Sequence, residues 1–324
     1  MPELPEVETV VRSLRPRLVG ARVGQVWWSG LGLRLGRAPD LAGLRAIGEH
    51  GRITSVRRLA KYILIDVEDA AGEARGTLVV HLGMSGRLQV WQAQAPRPSH
   101  THVVFVLDEE RELRFVDPRR FGWVGAAARA EELPELAALG PDPLAELDVE
   151  LLARALESSR APIKAFLLDQ RKVAGLGNIY VSEALFRAGI HPVMPANRVG
   201  HRASALYDAI RTVLELGINN RGTTLRDYVD GNGNEGGNTS ALLVYGRAGE
   251  ACPTCGTPIQ RRVDAGRSTF LCPKCQRAGQ PRAKPTRGAR SVAKKAGKNV
   301  RKNVGKNVGK SAAKKIGTKR ATRR

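Results

Sequence analysis

The sequence predicts an α+β fold: an N-terminal helix with an antiparallel β-sandwich, a helical domain, a C-terminal four-cysteine hairpin and a disordered basic tail. Three observations carry this. Apolar residues recur at helical spacing just after Pro2 and again from Asp148 onward, whereas residues 22–124 break into short β-rich runs divided by turn residues. All four cysteines fall in two Cys-x-x-Cys pairs, 252–255 and 272–275. From Arg277 to Arg324 the chain holds 18 Lys and Arg and no Asp or Glu.

In chain order, Val7, Val10, Val11, Leu14 and Leu18 step by three and four and make one helical face. Pro2 and Pro5 sit where a first turn tolerates them, and Gly20 reads as the stop. Val23–Trp28, Lys61–Val67, Thr77–Leu82, Arg87–Trp91, His102–Leu107 and Glu112–Val116 read as strands of a sandwich or barrel. Residues 131–147 are rich in Ala, Leu and Pro and read as a linker. Helical periodicity returns at Asp148–Glu157, Pro162–Asp169, Asn178–Arg187 and about Ala203–Leu216. The Gly- and Asn-rich stretch 221–240 reads as a mobile loop long enough to be functional. The expected domains are therefore 2–130, 148–242, 243–276 and a tail, 277–324, with a degenerate Lys-Asn-Val-x repeat at 298–309.

The formal net charge is +22, but without the tail 35 basic residues face 31 acidic ones. The excess is thus a property of the tail, and an all-basic tail points to polyanions, nucleic acid before anionic membrane. No run of 18 apolar residues offers a membrane span, and the acidic, proline-punctuated start lacks the basic and apolar regions of a signal peptide. A cytoplasmic, nucleoid-associated protein is expected.

Cys252, Cys255, Cys272 and Cys275 leave no cysteine over for a disulfide framework. Each pair places two thiolates on one turn, and a hairpin of Thr257–Gln260 against Ser268–Leu271 would gather all four around one Zn²⁺. Four thiolates leave no open position, so the expected metal is structural and presents Arg261, Arg262 and Arg267 rigidly.

Met1 precedes a small residue, so processing is expected to expose Pro2 as a secondary amine. An α-amino group titrates near 8, so part of it is unprotonated at neutral pH and able to attack an aldehyde-like carbon, forming an iminium. Glu3 is its covalent neighbour and Glu6 lies one helical turn on, a pair able to move protons at the reacting sugar.

The opening MPELPEVET, with HLGMSG at 81–86, DPRRFG at 117–122, GLGNIYVSEALF at 175–186 and the terminal CPTCG and CPKC, resembles bacterial formamidopyrimidine-DNA glycosylase. The resemblance spans residues 2–276 in order. It implies Pro2 as the nucleophile, Glu3 as acid/base partner, Lys61 in proton transfer during β-elimination and Arg267 in δ-elimination. It further implies that Met84, Arg119 and Phe121 fill the space of a flipped nucleotide, which suits an apolar wedge beside a guanidinium. His100, Arg160 and Lys164 fall at positions that touch DNA phosphate or the lesion strand, with Arg160 standing where the family has a Lys. Gly175-Leu-Gly177-Asn178 resembles the family's helix–two-turn–helix element, with Asn178 as N-cap of a helix start that fits a phosphate. The loop at 231–240 corresponds to the family's lesion-capping loop but lacks the aromatic expected near its middle.

The implied activity is a bifunctional glycosylase and abasic-site lyase for oxidised purines in double-stranded DNA, acting as a monomer without a membrane. An endonuclease VIII-like enzyme for oxidised pyrimidines is the neighbouring alternative; Leu4 and HLGMSG match the purine-directed branch. From other classes come a catalytically silent DNA-compacting protein and RNA binding through the hairpin and tail. Borohydride trapping separates these from the enzyme.

Overall fold

In the structure, a computed structural model, residues 2–34, 38–108 and 110–278 are described. The expectation of a disordered tail falls almost entirely outside them. Helix α1 (Leu4–Leu18) buries Val7, Val10, Val11, Leu14 and Leu18, the stripe its spacing predicts, while its first residue, Leu4, is buried in the helical core. Two four-stranded antiparallel sheets follow. The first, in the order β1 (Val23–Trp28), β6 (Thr101–Leu107), β7 (Arg111–Val116), β5 (Arg87–Gln92), faces the second, in the order β2 (Arg52–Leu59), β3 (Tyr62–Glu68), β4 (Ala74–His81), β8 (Trp123–Ala127). Side chains of both sheets, such as Ile63, Ile65, Phe105 and Phe115, share one core with the α1 stripe. The predicted sandwich is present.

Three elements are additional. Strand β2 escapes the alternation test because a bulge between Ile53 and Ser55 puts its buried Ile53 and Val56 three residues apart. Helix α2 (Leu41–Gly48) is short and starts on an Asp40 cap that accepts the Gly43 N–H at 3.0 Å. Strand β8, WVGAA, ends in three residues of little β-propensity and is held by its pairing with β4.

The linker 131–147 is not bare. It contains α3 (Pro134–Ala137), and Leu136 with Ala130 packs on Tyr62, Leu64 and Val79 of the second sheet. The helical part comprises α4 (Val149–Glu157), α5 (Ile163–Leu168), α6 (Asn178–Arg187) and α7 (Ala203–Asn219) around Leu152, Phe166, Leu185, Ile210 and Leu214. Helix α7 runs three residues past its predicted end. Gly217 lies inside it because Tyr180 packs there: a Cβ on Gly217 would come within 2.6 Å of the tyrosine oxygen. The hairpin is β9 (Gln260–Asp264) with β10 (Arg267–Leu271), a longer β9 and a later register than expected, turning at Ala265-Gly266 where both φ angles are positive. Among the described residues no helix is long and apolar enough to cross a membrane.

Candidate active site

Pro2 and Glu3 are both buried, directly ahead of α1. The Glu3 carboxylate accepts the backbone N–H of Ile179 at 2.9 Å and of Tyr180 at 3.3 Å. It therefore occupies the N-terminus of α6, where aligned peptide dipoles favour an anion. The sequence reading assigned this position to a phosphate; the protein's own carboxylate takes it instead. Asn178 is accordingly the first residue of α6 and Gly177 is its cap. Only glycine serves at 177, since a Cβ there would lie 2.3 Å from the Glu3 carboxyl carbon.

The same turn holds the lysine. Lys61, expected to open the strand, lies instead in the two-residue turn between β2 and β3, which begins at Tyr62, and donates through Nζ to the Leu176 carbonyl at 2.6 Å. The Leu4 N–H reaches the Gly175 carbonyl at 3.0 Å. Thus one turn, residues 175–180, holds both buried side chains, Glu3 and Lys61, in a single polar site.

Its electrostatics follow from burial. Loss of solvent pushes Glu3 up to about 7, against the pull of the Lys61 charge. Lys61 is brought down to about 8 by burial, with Glu3 opposing and Arg267 assisting. Carboxyl and ammonium therefore both exchange protons near neutrality, as an acid/base pair must. Arg267, at the start of β10, is exposed while its charge still reaches Lys61.

The three wedge candidates come together. Met84 and Phe121 are 40% and 41% exposed although apolar, and the Arg119 guanidinium lies 4.7 Å from the Phe121 ring centre. Glycine permits this: Gly83, at φ +62, packs so closely on the 121–122 backbone that a Cβ would fall 2.4 Å from the Gly122 nitrogen. Buried Asp117 ties the loops, accepting from Ser85 Oγ at 2.6 Å, from the Arg119 N–H at 3.2 Å and from the Gly122 N–H at 2.7 Å. In the sequence the only signal for Asp117 is its position inside DPRRFG, ahead of residues that need fixed turns.

The remaining candidates divide. His100 (φ +66) and Arg160 are exposed. Lys164 is buried and donates through Nζ to the Ser268 carbonyl at 2.9 Å and Thr269 Oγ1 at 2.7 Å, so in this state it fastens β10 to α5. Asn178 Nδ2 also donates to the Ser268 carbonyl, at 2.9 Å. The 221–240 stretch, read as a mobile loop, is closely tied: Asp230 accepts the N–H groups of Asn232 and Asn234 at 2.8 and 2.9 Å, and Asn238 is buried.

The four cysteine sulfurs lie within 4.8 Å of one another, with Cys252–Cys275 at 3.9 Å and Cys255–Cys272 at 3.5 Å. A tetrahedron of ~2.3 Å Zn–S bonds needs sulfurs about 3.8 Å apart, so the set fits one structural Zn²⁺. Two residues absent from the sequence reading dock this module. Gln276 accepts the Cys272 N–H at 3.0 Å and donates to the Ile190 carbonyl at 2.9 Å. Glu183 on α6 accepts the N–H groups of Leu243, Val244 and Tyr245 at 2.8 to 2.9 Å. Cys272→Ser, or chelation of the metal, is expected to unfold the hairpin and weaken DNA binding at least tenfold, because metal binding here supplies folding energy. Unchanged affinity in a fluorescence titration after complete zinc loss would contradict this.

Comparison with known proteins places the molecule first in a class, the DNA glycosylases of modular build with a zinc finger. Family models for the formamidopyrimidine-DNA glycosylase N-terminal domain, its H2TH domain and the zinc finger found in FPG and IleRS match residues 1–124, 139–229 and 249–278. Formamidopyrimidine-DNA glycosylases of Rhizorhabdus wittichii and Gluconobacter oxydans are 50% and 46% identical, each over 86% of this chain and 100% of the relative. The chain belongs to the formamidopyrimidine-DNA glycosylase family. Among solved structures it is similar to MutM (Fpg) of Thermus thermophilus, with TM-score 0.74 and 41% identity over 86% of this chain and 100% of that one. It is likewise similar to Lactococcus lactis Fpg in complex with abasic-site DNA, with TM-score 0.76 and 34% identity over 85% of this chain and 99% of that one.

Proposed function

We propose that this base-excision repair glycosylase removes 8-oxoguanine and formamidopyrimidines from double-stranded DNA and then nicks the abasic site by β,δ-elimination. One observation carries the reading: a buried carboxyl with its pKa near neutrality sits beside Pro2, fixed by the same turn that holds Lys61. With Met1 removed, the Pro2 nitrogen attacks the sugar C1′ as the bond to the base breaks. The departing base takes a proton, and the sugar ring opens to leave an iminium on Pro2. Glu3 supplies and recovers protons at the sugar. The iminium acidifies the neighbouring C2′ hydrogen; its removal expels the 3′ phosphate, with Lys61 serving the proton transfer. Arg267 serves the second elimination, which expels the 5′ phosphate.

Met84, Arg119 and Phe121 take the space vacated by the flipped nucleotide, and His100, Arg160, Lys164 and Asn178 serve the DNA backbone and lesion strand. Lys164 and Asn178 do so through the placement of β10. The protein acts as a cytoplasmic, nucleoid-associated monomer without a membrane. Borohydride is expected to trap wild-type protein on an 8-oxoguanine duplex; an unmodified protein would favour the silent DNA-compacting reading. Oxidised pyrimidines in the same panel test the endonuclease VIII-like alternative.

The tail makes a separate prediction. Deleting residues 281–324 is expected to flatten the salt dependence of non-specific DNA binding, because fewer counterions are released, while single-turnover excision hardly changes. A collapse of the excision rate would show that the tail is more than an electrostatic tether.

A further inference from the structure

Behind the reacting groups runs a buried polar chain ending on Glu6, which the sequence offers as a second proton carrier and to which the proposed steps give no role. Glu6 is 1% exposed, and both its oxygens are filled. Oε2 accepts the Glu3 N–H at 2.8 Å; Oε1 accepts the Tyr180 hydroxyl at 2.6 Å and the Thr223 N–H at 2.7 Å. Tyr180 has one proton and gives it to Glu6, so the 3.1 Å contact between its oxygen and Thr223 Oγ1 is donated by the threonine. Thr223 Oγ1 in turn accepts from Asn238 Nδ2 at 2.9 Å, and Asn238 Oδ1 accepts from Asn220 Nδ2 at 3.0 Å. Tyr180, Thr223 and Asn238 are all buried. Every proton points the same way, from Asn220 through Asn238 to the Glu6 carboxylate, so each bond polarises the next.

The chain starts at Asn220, which caps the end of α7, and passes through the Gly/Asn loop at Asn238. Asn238 closes a segment whose residues 232–235 are exposed. The segment hangs from α1 at one end, through the Gly231 N–H on Ser13 Oγ at 2.9 Å. At the other end it hangs from the turn after α7, through the Asn238 N–H on the Gly222 carbonyl at 3.0 Å. The final bond of the chain, Glu6 to the Glu3 N–H, fixes the peptide that joins Glu3 to Pro2.

We propose that Asn238 and Thr223 are positioning residues for base excision. Through Tyr180 and Glu6 they fix the Glu3 N–H, and with it the orientation of Glu3 and Pro2. The proposal rests on the glycosylase reading of the site. Displacing a base needs amine and carboxyl aligned together, whereas an abasic aldehyde needs chiefly the amine. A fault in the chain should therefore fall harder on the first reaction.

The test compares Asn238→Ala, Thr223→Val (near-isosteric, without the hydroxyl) and Thr223→Ser (hydroxyl kept). Single-turnover rates are measured at saturating enzyme on duplexes carrying 8-oxoguanine or a preformed abasic site, with melting temperatures alongside. The ratio of 8-oxoguanine excision to abasic nicking is expected to fall about tenfold in Asn238→Ala and Thr223→Val, and to recover in Thr223→Ser. Should Asn238→Ala fail to fold, the Thr223 pair decides. A wild-type ratio in the two variants, or equal losses on both substrates following the melting temperature, overturns the proposal. A wild-type protein trapped by borohydride on neither duplex overturns the glycosylase reading instead.

Discussion

Pro2→Gly is expected to abolish the borohydride adduct and to slow base excision at least about a thousandfold, since covalent catalysis loses its nucleophile. Glycine also bears an α-amine, so basicity alone does not set the effect. Proline's nitrogen is a secondary amine, and its Schiff base is an iminium that stays charged at every pH. The ring also fixes rotation about the N–Cα bond, so the lone pair is aimed by the buried Pro2–Glu3 junction instead of sampling many directions. Glycine loses both properties. Electrophoresis after borohydride reduction reads the adduct directly; a Pro2→Gly adduct of wild-type yield would remove the proline from the mechanism. Mass spectrometry of active enzyme with Met1 still attached would do the same.

Glu3→Gln is expected to lower excision by about a hundredfold or more, while making the protein more stable at alkaline pH. Burial raises the Glu3 carboxyl from 4.5 to about 7. The native state thus holds a proton that the unfolded chain releases near pH 4.5, and stability falls as pH rises from there to about 7. Above that window the carboxylate is charged in both states and its desolvation cost is fully present, a ceiling of roughly 3 kcal/mol for the shift. Glutamine carries no such cost. Its amide keeps one acceptor for the Ile179 and Tyr180 N–H groups, so the gain is smaller than the ceiling. Melting curves should nearly coincide below pH 5 and separate above pH 7, with the variant higher. A variant melting below wild type at pH 8 would show that the hydrogen bonds outweigh the burial.

The legible parts of the molecule depend on local chemistry. The α1 stripe, the two Cys-x-x-Cys turns and most strands carry their period or spacing within a dozen residues. The candidate residues enter through the motif blocks shared with the family. What escaped was set by partners far along the chain. Strand β2 is disguised by a bulge, and Gly217 stays helical because Tyr180 lies against it. Lys164 falls where the family touches DNA phosphate or the lesion strand, yet its ammonium is bonded to β10 more than a hundred residues away. Asp117, Glu183 and Gln276 look like surface polar residues and act as backbone ties.

By itself the sequence determined the α+β plan, the family and the metal-binding cysteines, because motif blocks and cysteine spacing are local, and through the family resemblance it singled out Pro2, Glu3, Lys61 and Arg267 as candidates. Tertiary structure alone decided which anion sits on the α6 N-terminus, that Glu3 and Lys61 share one turn, and that Glu6 is wired to Asn238. The physical reason is desolvation: a carboxyl's pKa and its hydrogen-bond partners depend on what encloses it, and the enclosing residues come from segments more than a hundred positions apart.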